Sequence, residues 1–108
     1  MRDPNNPCIF CNTKESGLVN ENSLAYSSYD TYPVSDLHYL IIPKRHVKDY
    51  FELNDDEVIA CNELIKITKE EILSKDPLVK GFNIGTNAGK VAGQSVLHCH
   101  IHLIPRRE

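Results

Sequence analysis

Between positions 98 and 102 the chain reads His98-Cys99-His100-Ile101-His102. Imidazoles that alternate with apolar residues have a period of two, and only an extended chain sorts such a pattern onto two faces. On a helix, His98 and His100 would diverge by about 200°. The segment Ser95–Ile104 is therefore read as a strand, with His98, His100 and His102 on one face and Cys99, Ile101 and Leu103 in apolar core. Three imidazolium groups so close would repel, so part of the set stays neutral near neutral pH and titrates as a coupled group. A neutral imidazole is a usable nucleophile. Such a row binds a metal or an anion, or performs phosphoryl or acyl chemistry. The bland alternative is a polar surface strand that happens to carry histidine, and it must explain all three positions at once.

The rest of the chain supplies a frame for this strand. Leu18–Asn20 and Leu24–Ser28 read as short strands joined by the polar turn Glu21-Asn22-Ser23. His38–Ile42 is strongly β-prone and is closed by Pro43. Asn54 with Glu57 three residues later forms a capping-box pattern. Val58, Cys61, Leu64, Ile65, Thr68 and Ile72 then recur at helical spacing until Asp76-Pro77 stops them, which predicts a helix over 54–75. Gly81–Gly85 alternates as a strand, and Thr86–Gln94 reads as a loop. Strands, then a helix, then strands argue for an α+β fold: an antiparallel sheet covered on one face, in a single domain spanning 1–108. Residues 1–7 read as a polar lead-in.

Composition narrows the function classes. The longest apolar run, Tyr39–Pro43, is far short of the roughly 20 residues of a membrane span. The opening MRDPNNPCIF has no apolar core of a secretory signal, which places the expected location in the cytoplasm. A net charge of -3 disfavours a protein that wraps nucleic acid, although a small phosphate ligand needs only local donors. Lys44-Arg45 and Arg106-Arg107 read as solvated charge, with Arg106 also placed to steer a polyphosphate. In a reducing compartment, Cys8-Ile9-Phe10-Cys11 reads as a metal half-site, a redox pair or plain thiols. Cys61 and Cys99 read as buried small hydrophobes. Gly89–Ser95, just ahead of the histidines, is a small-residue loop. At Gly93 its backbone N–H groups can approach a phosphate, and Gln94 and Ser95 add side-chain donors. No Gly-x-Ser-x-Gly elbow or Walker-type loop competes.

Two blocks carry a family resemblance across essentially the whole chain. Ala92-Gly93-Gln94-Ser95-Val96-Leu97-His98-Cys99-His100-Ile101-His102-Leu103-Ile104-Pro105-Arg106 resembles the signature of the histidine triad (HIT) family of nucleotide hydrolases and transferases. His38-Tyr39-Leu40-Ile41-Ile42-Pro43-Lys44-Arg45-His46 resembles its other block. The resemblance implies a five-stranded antiparallel sheet with one long and one short helix, and a homodimer with sheets continuous across the interface. It implies that His100 attacks the α-phosphorus of a nucleotide to form a nucleotidyl-histidine that water releases. His102 then contacts phosphate and leaving group, the carbonyl of His98 fixes the tautomer of His100, and His38 is a fourth active-site histidine. Asn87, Gln94 and Ser95 match phosphate contacts, and Asp30 matches a ribose contact, its bland reading being a turn residue ahead of Pro33. In some relatives two cysteines and two histidines hold structural zinc, here Cys8 and Cys11 of the segment 1–12 with His46 and His98.

The substrate implied is a dinucleoside polyphosphate such as diadenosine tetraphosphate. The alternatives are a nucleoside 5'-phosphoramidate, or a nucleotide-binding regulatory module with little turnover. Base contacts in such sites are mostly apolar, so the segment Leu18–Tyr29 is expected to accept several bases. Two features depart from the family pattern. Leu37 stands where glycine usually precedes the first histidine, which is expected to shift the backbone there. The chain also stops at Glu108, whereas many relatives continue with a segment that bears on leaving-group choice and the dimer surface.

Overall fold

The computed structural model describes residues 8–11 and 17–108; the lead-in 1–7 lies outside them. Five strands form one antiparallel sheet: β1 (Leu18–Glu21), β2 (Ala25–Tyr29), β3 (Tyr39–Pro43), β4 (Gly81–Thr86) and β5 (Ile101–Arg106). Their order is β1-β2-β3-β5-β4, so β5 lies inside the sheet and β4 forms an edge. Asn22 shapes the β1–β2 turn, its side-chain oxygen accepting the N–H groups of Leu24 and Ala25 at 3.1 and 2.9 Å. A single α-helix, α1 (Asp55–Lys75), covers one face. Among the described residues the expected short helix appears only as single 3₁₀ turns at Ile9–Cys11, Tyr50–Glu52 and Lys90–Ala92. No helix of the described residues is long and apolar enough to cross a membrane.

The two sheet faces are built differently. On one, Ala25, Ile41 and Ile101 pack against Ala60, Cys61 and Leu64 of α1, while Tyr39 and Leu103 pack against Ile72 and Val79. On the other, Tyr26, Leu40 and Ile42 meet Phe10 and Leu18, and this face carries the histidines. Cys61 and Cys99 are buried, and burial pushes their thiols up to about 12 and about 11, so both stay protonated.

The last strand is shorter at its start than the alternation predicts. It begins at Ile101, not Ser95, and runs on to Arg106. The backbone ahead of Ile101 has other partners. Cys99 N–H donates to the carbonyl of Val47 at 2.8 Å. The carbonyl of His100 accepts from Thr86 Oγ1 at 2.8 Å, and that of His98 accepts from the His100 ring. A backbone spent on such bonds makes no ladder. Alternation of faces survives the correction, since Ile101 and Leu103 pack with residues of α1 whereas the His100 ring meets those of Phe10 and His102. Of the three histidines, however, only His102 lies on β5, so Cys99 is not a strand residue either.

The start of α1 ties the helix to the loop after β3. Asn54 and Glu57 form the full capping box. Glu57 is buried, which the apolar stripe did not indicate, and it also accepts from Arg45 Nε and Nη2 at 2.9 and 2.8 Å. The Arg45 guanidinium holds the Glu57 carboxyl below its usual 4.5. A depressed carboxyl contributes stability above its unfolded pKa and loses it as pH falls through the folded value. Glu57→Gln should therefore lose stability at neutral pH and show a flatter stability profile in acid. Urea midpoints of both proteins at about pH 7 and about pH 3 check this: the wild type should lose more between them.

Candidate active site and metal centre

The histidines leave the sheet in fixed tautomers. His98 is fully buried, and its Nε2 lies 2.7 Å from the carbonyl of Pro43. A carbonyl only accepts, so His98 carries its proton on Nε2 and presents a lone pair on Nδ1. By the same logic His100 Nδ1, at 2.8 Å from the carbonyl of His98, is the protonated nitrogen, and Nε2 keeps the lone pair. Val34 N–H donates to His38 Nδ1 at 3.0 Å, so His38 is protonated on Nε2 and donates to His102 Nδ1 at 3.0 Å. That leaves His102 with Nε2–H as a donor. The two rings thus differ: His100 presents an electron pair on Nε2 and His102 a hydrogen-bond donor on its own Nε2.

Asp30 approaches the same group. Its Oδ2 lies 3.3 Å from His38 Nε2 and 3.7 Å from His102 Nδ1. Its Oδ1 accepts the N–H of Tyr32 at 2.9 Å, which is the turn-forming role read from the sequence. Asp30, His38 and His102 are close enough to suggest a metal group, but the proton on His38 Nε2 removes the lone pair a metal would need. Burial lowers the pKa of His38, with Asp30 pulling it back up. Burial also lowers that of His102, reinforced by His100 and His38.

Leu37, directly before His38, has a φ of +67°. This is the left-handed region that glycine enters freely and a branched side chain enters at a cost of order 1 kcal/mol. The Leu37 side chain packs against the cluster of Tyr39, Ile72 and Leu103, which offsets that cost. The N–H of His38 donates to the carbonyl of Ser35, and its carbonyl accepts from Asp30.

These residues border a cleft of about 350 Å³ on the face away from α1. His100, His102, Asp30, Asn87, Gly93 and Ser95 line it. Gly93 adopts φ +94°, a conformation that favours glycine, and a Cβ there would stand 3.3 Å from Asn87 Nδ2, close enough that the Asn87 side chain would have to shift. Gln94 is a correction. Its Oε1 accepts from Gly89 N–H at 2.9 Å, and its Nε2 donates to Lys48 and Val96 carbonyls at 2.6 and 2.9 Å. That amide is fully used in holding the loop, so it does not contact phosphate. Arg106 Nε donates to Asn83 at 2.7 Å, at the far end of β5 from the cleft.

Phe10 is a residue the sequence reading missed. Its ring packs 5.1 Å from that of His100 and 6.0 Å from that of His98, and its carbonyl accepts from Tyr26 Oη at 2.6 Å. The only signal was its place between Cys8 and Cys11. Those cysteines converge with His46 and His98, all ligand atoms lying within 4.8 Å of one another. Cys11–His46, His46–His98, Cys8–His98 and Cys11–His98 approach at 3.0, 3.2, 3.4 and 3.5 Å. The edges of a tetrahedron with Zn–N near 2.0 Å and Zn–S near 2.3 Å are about 3.3 to 3.8 Å. The donor set, its spacing and the lone pair on His98 Nδ1 fit a closed tetrahedral metal site.

Fold and site define a protein that presents one nucleophilic imidazole beside a nucleotide-sized cleft. The HIT domain model matches residues 12–108. The chain belongs to the histidine triad family. An adenosine 5'-monophosphoramidase of Candida albicans is 33% identical over 94% of this chain and 71% of its own length. The crystal structure of a HIT family protein from Bacillus anthracis superposes with a TM-score of 0.87 at 32% identity, covering 95% of this chain and 75% of that one. A Zn-bound histidine triad family protein from Mycobacterium smegmatis superposes with a TM-score of 0.83 at 27% identity, over 94% and 76%.

The ring geometry makes a direct prediction. His38 should titrate below its usual 6.5, and Asp30→Asn should lower the midpoint further by removing the charge that favours imidazolium. Histidine-resolved NMR titration checks both; a midpoint above the usual value in the wild type would contradict the burial argument.

Proposed function

We propose that the chain hydrolyses nucleotides at the α-phosphate through a covalent intermediate on His100. The observation that carries this is the pair of opposed tautomers, a lone pair on His100 Nε2 and a proton on His102 Nε2 at the same cleft. In the first step the His100 Nε2 pair forms a bond to the α-phosphorus. The bond from phosphorus to the leaving group breaks, and the leaving atom takes its electron pair and a proton from solvent, with the His102 Nε2–H hydrogen-bonded to it. In the second step water attacks phosphorus and loses a proton to solvent, and the N–P bond breaks back to His100. Neutral imidazole is regenerated and the mononucleotide is released. As positive charge grows on the His100 ring, the carbonyl of His98 takes a stronger hydrogen bond from Nδ1–H, a stabilisation present mainly along the reaction path.

Nucleoside 5'-phosphoramidates are the substrates this reading favours. An amine leaving group departs more readily with a hydrogen-bond donor held at its nitrogen, and the His102 Nε2–H is such a donor; the name of the Candida albicans relative supports the same choice. Dinucleoside polyphosphates are served by the same two histidines, with an anionic leaving group that needs that donor less. The metal we assign to Cys8, Cys11, His46 and His98 is zinc. It is structural, since the four ligands close its coordination sphere, and the Zn-bound relative supports it. We also propose a homodimer formed along the edge strand β4, where Ile84 is 59% exposed, and a cytoplasmic location, where Cys8 and Cys11 stay reduced.

Two measurements test the reading. Wild type and His100→Ala are each given adenosine 5'-phosphoramidate and diadenosine tetraphosphate. Wild type should release AMP, faster from the phosphoramidate, and the variant should be slower by a factor on the order of a thousand or more while still binding AMP. Binding without turnover in the wild type would assign the chain to the regulatory class instead. Metal analysis of protein purified without a metal-affinity tag should find about one zinc per chain, lost in Cys11→Ser; a content far below that in the wild type rejects the zinc assignment.

A further inference from the structure

One polar atom at the nucleotide cleft is used by nothing described so far. Ser28 lies in β2 and is 1% exposed. Its Oγ is the one buried side-chain oxygen or nitrogen among the described residues with no hydrogen-bond partner. Buried hydroxyls are nearly always paired, because drying one without a partner is unfavourable. Strand register fixes where this one faces. Ser28 pairs with Leu40, and Leu40 with His102, so the three side chains share the sheet face that carries the cleft. All three line it. Two strand spacings, about 10 Å, separate Ser28 from His102. A nucleotide with its α-phosphorus at His100 and His102 would bring its base, the part farthest from the phosphate, toward that distance. The cleft lining includes the apolar side chains of Ile9, Phe10, Leu40 and Val96.

We propose that Ser28 reads the nucleobase: its hydroxyl takes a hydrogen bond from, or gives one to, the polar edge of a base held between apolar side chains. This rests on the nucleotide reading above and adds one polar contact to the mostly apolar base recognition expected along Leu18–Tyr29. A hydroxyl rotates to donate or accept, so it accommodates an exocyclic amino group, a ring nitrogen or a carbonyl. A base with only C–H at that edge leaves the Ser28 hydroxyl unpartnered. The residue therefore adds affinity only for bases that can pair with it.

The test is the binding of five ligands to the wild type, Ser28→Ala and Ser28→Thr, measured by calorimetry: the four common nucleoside 5'-monophosphates and purine riboside 5'-monophosphate, whose base lacks an exocyclic group. Wild type should spread these affinities by on the order of tenfold or more. Ser28→Ala should compress the spread to about twofold, chiefly by weakening the good ligands, and Ser28→Thr should keep it. Unchanged ratios in Ser28→Ala overturn the proposal. So does a marked fall in the melting temperature of that variant, which would show the hydroxyl serving the fold instead of a ligand. Wild type that binds none of the five overturns the nucleotide reading itself, an outcome distinct from unchanged ratios.

Discussion

The carbonyl and ring of His98 join the two halves of this molecule's chemistry. The ring is held by Pro43 at the end of β3, which turns Nδ1 toward Cys8, Cys11 and His46. The carbonyl of the same residue fixes the His100 tautomer. A rotation of His98 would disturb the metal ligands and the nucleophile together. Imidazole is ambidentate, and a nucleophile that spent half its time with the wrong nitrogen exposed would be halved in effect and blurred in position. A backbone carbonyl cannot donate, so it removes that ambiguity completely.

The segment that carries these residues is irregular, and its irregularity follows from its bonds. From Gln94 to His100 the chain is held by Lys48, Val47 and Thr86 instead of by strand neighbours. Lys48 and Val47 belong to the loop that also supplies His46, and Arg45 in the same loop is paired with Glu57 at the start of α1. The helix therefore does more than cover the sheet: its first turn anchors the loop on which the nucleophile's backbone hangs. A site needs placement to a fraction of an ångström, and a regular ladder gives that only in steps of a whole residue.

Much of this was legible in the chain. The helix boundaries followed from Asn54, Glu57 and Asp76-Pro77, because capping is local chemistry. The alternation at His98–His102 gave the correct faces, because side-chain direction in extended backbone does not depend on pairing. It misplaced the strand start because pairing is nonlocal: nothing in Ser95–His100 announces that Val47 will take the N–H of Cys99. Gln94 was misassigned for the same reason, its partners lying elsewhere in the chain. Ser28 had no sequence signal at all, and Phe10 only its place between Cys8 and Cys11. A serine in a short strand is ordinary, and its lack of a partner exists only once the sheet and the cleft surround it.

In the reaction we propose, the cleft would collect an anion with little fixed positive charge. Burial keeps His38 and His102 toward the neutral form, Asp30 adds a negative charge, and Arg106 is turned to Asn83. Phosphate recognition would then be left to N–H and O–H donors, His102 Nε2–H, Ser95 and Asn87, because the backbone N–H groups of Ala92, Gly93 and Gln94 are spent on Gly89 and Lys90 carbonyls within the loop. Neutral donors bind an anion less tightly than arginine would, and that would suit a site whose product is itself a nucleoside monophosphate. A guanidinium clamp would hold substrate and product phosphate about equally, which adds binding without speeding the chemical step. Dipoles aimed at the phosphorus, with a nucleophile whose charge grows only as the bond forms, direct the electrostatic stabilisation toward the transition state.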